Sequence, residues 1–269
     1  MDGTGRYAGG KFSVKGVFEK MKKKRYKLIA CEIMFREACD AASRCKNIVD
    51  VSFLPKGLHD IGTANMFARL QKEIDEVEHE KYDAILLGYA LCNNGVVGLR
   101  SPIPFVIPKA HDCITLFMGS KERYREYFDA NPGAFYYTSG WIERNEVDIE
   151  MPEGAFYSQM NTGMSYNELV ELYGEDNAEF LKETLWNLTP NYTKATFINT
   201  GIGMVDENRK TTKEYAAEKN WDFEEVKGDT SLIFKLLNGD WDDCDFLVIP
   251  PGKTIAPSYQ DDIVIATSS

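Results

Sequence analysis

LLGYALCNNGVVGLRSPIPFVIPKAHDCITLFM, residues 86–118, holds two apolar runs that each break into a short polar segment carrying cysteine. The first run, with its core AILLGYAL, is nearly continuous in apolar residues. That is the pattern of a strand covered on both faces, as in the middle of a parallel sheet. The ends of neighbouring parallel strands lie side by side, so Cys92, His111 and Cys113 can meet although 21 residues separate the first from the last.

Working outward from this stretch, strand and helix patterns alternate. Tyr26 to Ile33 reads as a strand and about Arg36 to Lys46 as a helix. Val49 to Leu54 reads as a second strand, followed by the loop PKGLHDIG and a helix from about Ala64 to Lys81. In that helix Phe67, Leu70, Ile74 and Val77 recur at three- and four-residue spacing while Lys72, Glu73 and Glu76 face outward. Tyr82 to Leu91 is the third strand and Phe105 to Pro108 the fourth, with the third expected at the centre of the sheet.

From Ser120 the pattern changes. KERYREYFDANPGAFYYTSGWIER predicts a helix, a Pro-Gly break and an aromatic strand, and about Tyr166 to Asn187 a further helix. Ala195 to Thr200 then reads as a strand opening into Gly201-Ile202-Gly203. Asp206 to Asn220 is helical, Phe223 to Val226 a short strand, Ser231 to Leu237 a helix and Asp245 to Pro250 a last strand. The expected architecture is α/β, with two Rossmann-like lobes and mostly parallel sheets. Residues 1–20, Gly-rich and aperiodic, form an N-terminal extension; residues 21–119 form the first lobe and 120–269 the second.

With 42 acidic against 31 basic residues the formal charge is −11, which repels phosphate backbones, and no basic stripe with interleaved aromatics offsets it. Nucleic acid is therefore not an expected partner. No apolar run approaches the roughly 20 residues that span a bilayer, so no membrane is expected either. The Lys22 to Arg25 run before Leu28-Ile29-Ala30 imitates an export signal, but Glu32 ends the apolar stretch. Six cysteines without a short-loop framework fit a reduced cytoplasm. Cys39, Cys45 and Cys244 lie in helix-like contexts and read as small buried hydrophobes.

Ligands in open α/β sheets lie outside the carboxyl ends of the strands. Four consecutive strand ends here offer polar residues: Cys31 and Glu32, then His59, then Cys92, then His111, Asp112 and Cys113. Two readings stand side by side, a metal or reactive-thiolate site and a set of structural cysteines. Zinc favours a tetrahedral set of His111, Cys113 and one or two of Cys31 and Cys92. An iron–sulfur cluster would use the three thiolates of Cys31, Cys92 and Cys113 and leave one iron free, as in quinolinate synthase. His111, Asp112 and Glu32 are the candidate acid/base groups. Asn93-Asn94-Gly95 is either a set of amides that holds a cofactor or anion, or a turn that needs glycine. Gly201 and Gly203 make half a dinucleotide fingerprint without its third glycine. Lys253 neutralises a substrate anion or is simply exposed. If the second lobe covers the site, the aromatic block Phe135 to Trp141, with Glu143, and the turn Gly201 to Gly203 face the cysteines across a cleft; otherwise those aromatics pack in their own lobe.

The His-x-Cys pair at 111 and 113 resembles the zinc motif of methylcobamide:thiol methyltransferases, where zinc activates a substrate thiolate. The blocks LLGYALCNNGVVGL, VIPKAHDCITLFMGS and NPGAFYYTSGW with Ile142-Glu143 resemble the family of domain of unknown function 1638, from about Lys27 to Pro251. That resemblance implies one-carbon or methylamine metabolism in anaerobes, beside corrinoid-dependent methyltransferases. It marks Cys31, Glu32, His59, Cys92, His111, Asp112 and Cys113 as the shared polar positions. Lys109 stands where the family usually has Arg, which keeps the charge but loses bidentate geometry. The expectation is a cytoplasmic metal-dependent enzyme acting on a small-molecule substrate. Methyl transfer to or from a corrinoid or thiol is its most concrete form, with a corrinoid protein or a methyltransferase as partner. Two alternatives remain: an iron–sulfur lyase or dehydratase, and a non-catalytic carrier of metal or corrinoid.

Overall fold

Strands β1 (Arg25–Cys31), β2 (Ile48–Leu54), β3 (Ala84–Gly88) and β4 (Phe105–Pro108) run parallel in the order β2-β1-β3-β4. Residues 23–59, 62–92, 94–144, 174, 192–258 and 262–268 are described by the structure, a computed structural model. The sheet's middle strand is β3, as its unbroken apolar run predicts, and all five of its residues are buried. Ile85, Leu86 and Leu87 have no solvent exposure. Burying each such side chain contributes about 1.5–3 kcal/mol, which places the most stable part of the sheet directly beneath the cysteines.

Helix α1 (Phe35–Arg44) returns the chain from β1 to β2, after a short 3-10 turn at Glu32–Met34. Helix α2 (Thr63–Asp75) precedes β3 and turns Met66, Leu70 and Ile74 inward. It ends six residues earlier than its periodicity predicts. The chain bends after Glu76 to bury Val77, and the imidazole of His79 meets the Ile74 carbonyl at 3.1 Å, so that residues His79–Lys81 form a separate 3-10 turn.

Beyond β4 come α3 (Ile114–Met118) and α4 (Lys121–Ala130). The Ser120 hydroxyl caps α4 by accepting from the Arg123 amide at 3.1 Å. A second parallel sheet follows, β5-β6-β7, built from β5 (Ala134–Tyr137), β6 (Lys194–Asn199) and β7 (Asp222–Lys227). Helix α5 (Ser139–Glu143) follows β5, with the Thr138 hydroxyl accepting from the Trp141 amide. Helix α6 (Val205–Glu218) joins β6 to β7. The helix expected over residues 166–187 lies outside the described residues.

After β7 the chain returns to the first sheet. Helix α7 (Ser231–Asn238) buries Leu232, Ile233, Leu236 and Leu237, and the Asn47 side-chain amide donates to the Asn238 carbonyl at 2.8 Å. Strand β8 (Phe246–Ile249) then pairs antiparallel with β4, Phe105 opposite Ile249. The last strand expected from the sequence thus completes the first sheet, not the second. A hairpin of β9 (Lys253–Pro257) and β10 (Val264–Ser268) follows. It has no counterpart in the expectations drawn from periodicity. Lys109 is tied to this end of the chain, its ammonium donating to the Asp243 carbonyl at 2.7 Å and pairing with Asp262.

Candidate functional site

The segments after β3 and β4 continue side by side beyond the strands themselves. The Leu91 amide donates to the Ala110 carbonyl at 2.9 Å, and the Cys92 amide to the His111 carbonyl at 3.0 Å. This brings Cys92 alongside the His111–Cys113 segment. On the other flank the β1–β3 register ends with Ala30 opposite Gly88, so Cys31 and Tyr89 are the next residues on two adjacent strands. Cys31, Tyr89, Cys92 and Cys113 all belong to or pack against one apolar core.

Cys92 adopts φ +43°, a left-handed conformation that few residues other than glycine take up. Such strain is retained only where the surroundings hold it; the Cys92 residue itself is half-buried. Cys113 stands at the start of α3. Burial pushes the thiols of Cys31 and Cys92 up to about 12, and it raises that of Cys113 well above its ordinary value. After burial, the charge of Cys92 raises Cys31, and the charges of Cys92, Asp112 and Cys31 raise Cys113. The three thiols therefore lie within one another's electrostatic reach and are neutral.

Asp112 is held in place by two bonds. Its Oδ1 accepts from the Ile114 amide at 3.0 Å and its Oδ2 from the Tyr124 hydroxyl at 2.8 Å. Burial raises its pKa, which these two bonds partly offset. Asp112 thus anchors the segment carrying Cys113. His111 is exposed, while its neighbours turn inward. Glu32 accepts the Lys56 amide at 2.9 Å and so ties the end of β1 to the turn after β2. His59 closes that 3-10 turn, Lys56–His59, and its side chain lies outside what is described.

Two side chains passed over in the sequence complete the place. Tyr89 is 3% exposed, and its hydroxyl has no hydrogen-bond partner among the described residues. Its pKa rises well above the ordinary phenol value, by burial first and then by the charges of Cys31, Cys92 and Glu32. Lys56 is 6% exposed; its ammonium donates to the Trp141 carbonyl at 3.1 Å and lies 4.9 Å from the centre of that ring. Its charge also acts on Cys31. A tyrosine directly after Gly88 at a central strand end, and a lysine directly after Pro55, were the signals in the sequence.

The aromatic block packs in two directions. Phe135 and Tyr137 pack with Trp221 and Tyr215 on the second sheet. Tyr136 and Trp141 pack against the first core. Helix α5 sits so close to the Glu32–Met34 turn that a Cβ on Gly140 would lie 1.8 Å from the Ile33 carbonyl oxygen. Glu143 pairs with Arg36 at 2.8 Å and accepts from the Asn208 amide at 2.9 Å, which makes it a tie between the two layers.

The glycines serve other ends. A Cβ on Gly95 would meet the Met66 sulfur at 2.2 Å, and the Gly95 amide donates to the Cys92 carbonyl, so this glycine makes room for α2. Asn94 is exposed at φ +64°, and Asn93 lies outside the described residues. The Gly201 amide donates to the Asn199 side chain, and Gly203 packs against Arg36. Gly201 lines an open depression of about 460 Å³ at the carboxyl end of the second sheet, with Thr200, Glu225 and Lys227. Lys253 bonds to Ser268 within the terminal hairpin. Cys39 and Cys244 are exposed, contrary to the expected burial, whereas Cys45 is half-buried and bonds to backbone carbonyls. Cys39 turns away from the inward face of α1, and Cys244 lies in the loop before β8.

Among the described residues no three His, Cys, Asp or Glu side chains already stand as a ready-made ligand set. Cys31, Cys92 and Cys113 belong to or pack against the same large apolar core as Tyr89, whose hydroxyl has no hydrogen-bond partner among the described residues. No described helix is long and apolar enough to cross a membrane. Residues 53–237 match the model of a family described as "Protein of unknown function (DUF1638)". No curated protein and no solved structure matches the chain.

Proposed function

The chain belongs to the DUF1638 family, and from that membership and the strand-end geometry we propose that it is a cytoplasmic metal-dependent enzyme whose ligands are Cys31, Cys92 and Cys113. What supports this reading is that cysteines end or follow three adjacent strands of the first sheet, with the Cys92 amide bonded to the His111 carbonyl and Cys31 one residue past the last β1–β3 pair. Thiols raised to about 12, as those of Cys31 and Cys92 are, stay protonated and are poor nucleophiles by themselves. As ligands the same groups would release their protons to solvent, the charge of a bound cation offsetting the burial that keeps them protonated here. A zinc ion held there would keep a substrate thiol as its thiolate, whereas an iron–sulfur cluster would offer an iron as Lewis acid.

The chain's own residues prepare that place. Asp112 fixes the Cys113 segment through the Ile114 amide and Tyr124, and Glu32 fixes the turn bearing Lys56. His111, exposed beside them, is the group available to exchange protons with solvent. Methyl transfer between a corrinoid and a small thiol, in anaerobic one-carbon metabolism, is the most concrete form of the proposal; a corrinoid protein or a methyltransferase is then the partner. An iron–sulfur lyase, and a carrier of metal or corrinoid without turnover, are the competing forms.

Elemental analysis and an absorption spectrum of anaerobically purified protein test the reading. About one metal ion or one cluster per chain is expected, and Cys92→Ser should remove most of it. A wild-type protein that is folded and metal-free would end the proposal.

A further inference from the structure

We infer that β2 is a docking edge at which two copies of the chain pair antiparallel, about a two-fold axis at Val51, and so join their first sheets into one.

Among the described residues β2 is the outer strand of the first sheet and is bonded to β1 alone. The Ile48 amide donates to the Lys24 carbonyl at 2.9 Å, so Ile48, Asp50 and Ser52 turn their amides and carbonyls toward β1. By the alternation of a strand, Val49, Val51 and Phe53 turn theirs outward, and no described backbone group bonds to them. Such a row of open amides and carbonyls is a template for another strand, and folds blunt it with charge, with proline or with a covering segment. The other edges of the two parallel sheets are blunted. Strand β7 carries Asp222, Glu224, Glu225 and Lys227, β8 has the β9–β10 hairpin packed beside it, and β5 is only four residues long. Strand β2, IVDVSFL, runs for seven residues without proline or lysine. Its one charge, Asp50, is already paired with Arg25 and accepts from the Tyr82 hydroxyl. Ile48, at its start, is 44% exposed.

A second copy fits this edge because the strand is complementary to itself. With the axis at Val51, Val49 faces the second copy's Phe53, Asp50 its Ser52, and Ile48 its Leu54. Each of the three outward residues on either strand then donates one backbone bond and accepts one, and each Asp50 carboxylate meets a hydroxyl. An axis at Asp50 instead sets two like charges directly opposite one another, which is destabilising. An axis at Ser52 sets Asp50 against an apolar Leu54 and leaves Val49 outside the paired segment. Only the axis at Val51 uses every open group of the edge without a clash of charge.

Sedimentation of the full chain at about 50 μM should show a dimer that dissociates on dilution. Val51→Pro removes the amides at the axis, which β1 does not use, and should raise the dissociation constant about tenfold or more. Ile48→Lys, at an exposed position, should weaken the dimer while the circular dichroism spectrum stays that of the folded chain. A cross-link reads the register. With Cys39→Ser and Cys244→Ser removing the exposed thiols, Val51→Cys brings two Cα atoms to about 5.5 Å across the axis, within disulfide range. Oxidation with copper phenanthroline should trap that variant as a covalent dimer, and should not trap Val49→Cys, whose two sulfurs stand well apart along the strands. A monomeric wild type overturns the inference, whether β2 stays open or another segment of the chain covers it. So does a dimer unmoved by both Ile48→Lys and Val51→Pro, or one that cross-links equally through position 49.

Discussion

Glu37 has no solvent exposure, and only its Oε1 has a partner, the Thr200 hydroxyl at 2.7 Å; Oε2 has none among the described residues. Burial raises its pKa from 4.5 to about 7, with the charge of Glu143 adding and the Thr200 bond and Arg36 opposing. In the unfolded chain the carboxyl loses its proton near 4.5, so between that value and about 7 the folded state binds more protons. Stability must then fall as pH rises through this window, by roughly 3 kcal/mol at about 1.4 kcal/mol per unit. Glu37→Gln, which keeps an acceptor for Thr200, should lack this fall. Urea unfolding at pH 5 and pH 8 checks it, and an equal pH dependence in the two proteins would refute the assignment. At this scale the sequence was legible where residue type and strand end coincide, as for Cys31, Cys92 and Cys113. Glu37 was not, because its significance lies in a cross-layer partner, which no local pattern records; for Tyr89 and Lys56 the position after Gly88 and Pro55 was visible but their burial was not.

Helix α5 is only five residues long, yet it sets how the second sheet meets the first. Its Gly140 touches the Ile33 carbonyl, and its Trp141 carbonyl accepts from Lys56. Gly140→Ala would drive a methyl group to 1.8 Å from a backbone oxygen, so α5 or the Glu32–Met34 turn must shift. A loss of about 1–3 kcal/mol or more is expected, against a milder cost of about 1–2 kcal/mol for Gly201→Ala, which is strained at φ +74° but meets nothing within 4 Å. Chemical denaturation of the two variants gives the comparison, and a Gly140→Ala loss no larger than that of Gly201→Ala would contradict the packing. Most elements were legible, since β3 and β4 are apolar runs and α1, α2, α6 and α7 carry helical periodicity. The helix α2 boundary was not, because Val77 continues the apolar rhythm after the backbone has bent. The β9–β10 hairpin escaped for a related reason: its residues are half-exposed and alternate weakly.

On the scale of the whole molecule, periodicity reports what each segment is and not which sheet it joins, and for this reason the placement of β8 was not legible. It covers the β4 edge, with Phe246 and Ile249 buried against Pro108 and Phe105, while α7 covers α1. A chain ending at Lys227 should therefore leave β4 as a bare apolar edge and associate or aggregate, as light scattering would register. If it associates no more than the full chain and keeps an intact first sheet, β8 is dispensable. The same placement sets a timetable during synthesis. Four parallel strands are complete once Pro108 has been made, but their closing strand is roughly 140 residues further along. At about 5–20 residues per second the ribosome needs on the order of ten seconds to deliver it. For that interval the growing polypeptide exposes the β4 edge, so its passage to the native state depends on whatever shields that edge until the C-terminal segment arrives.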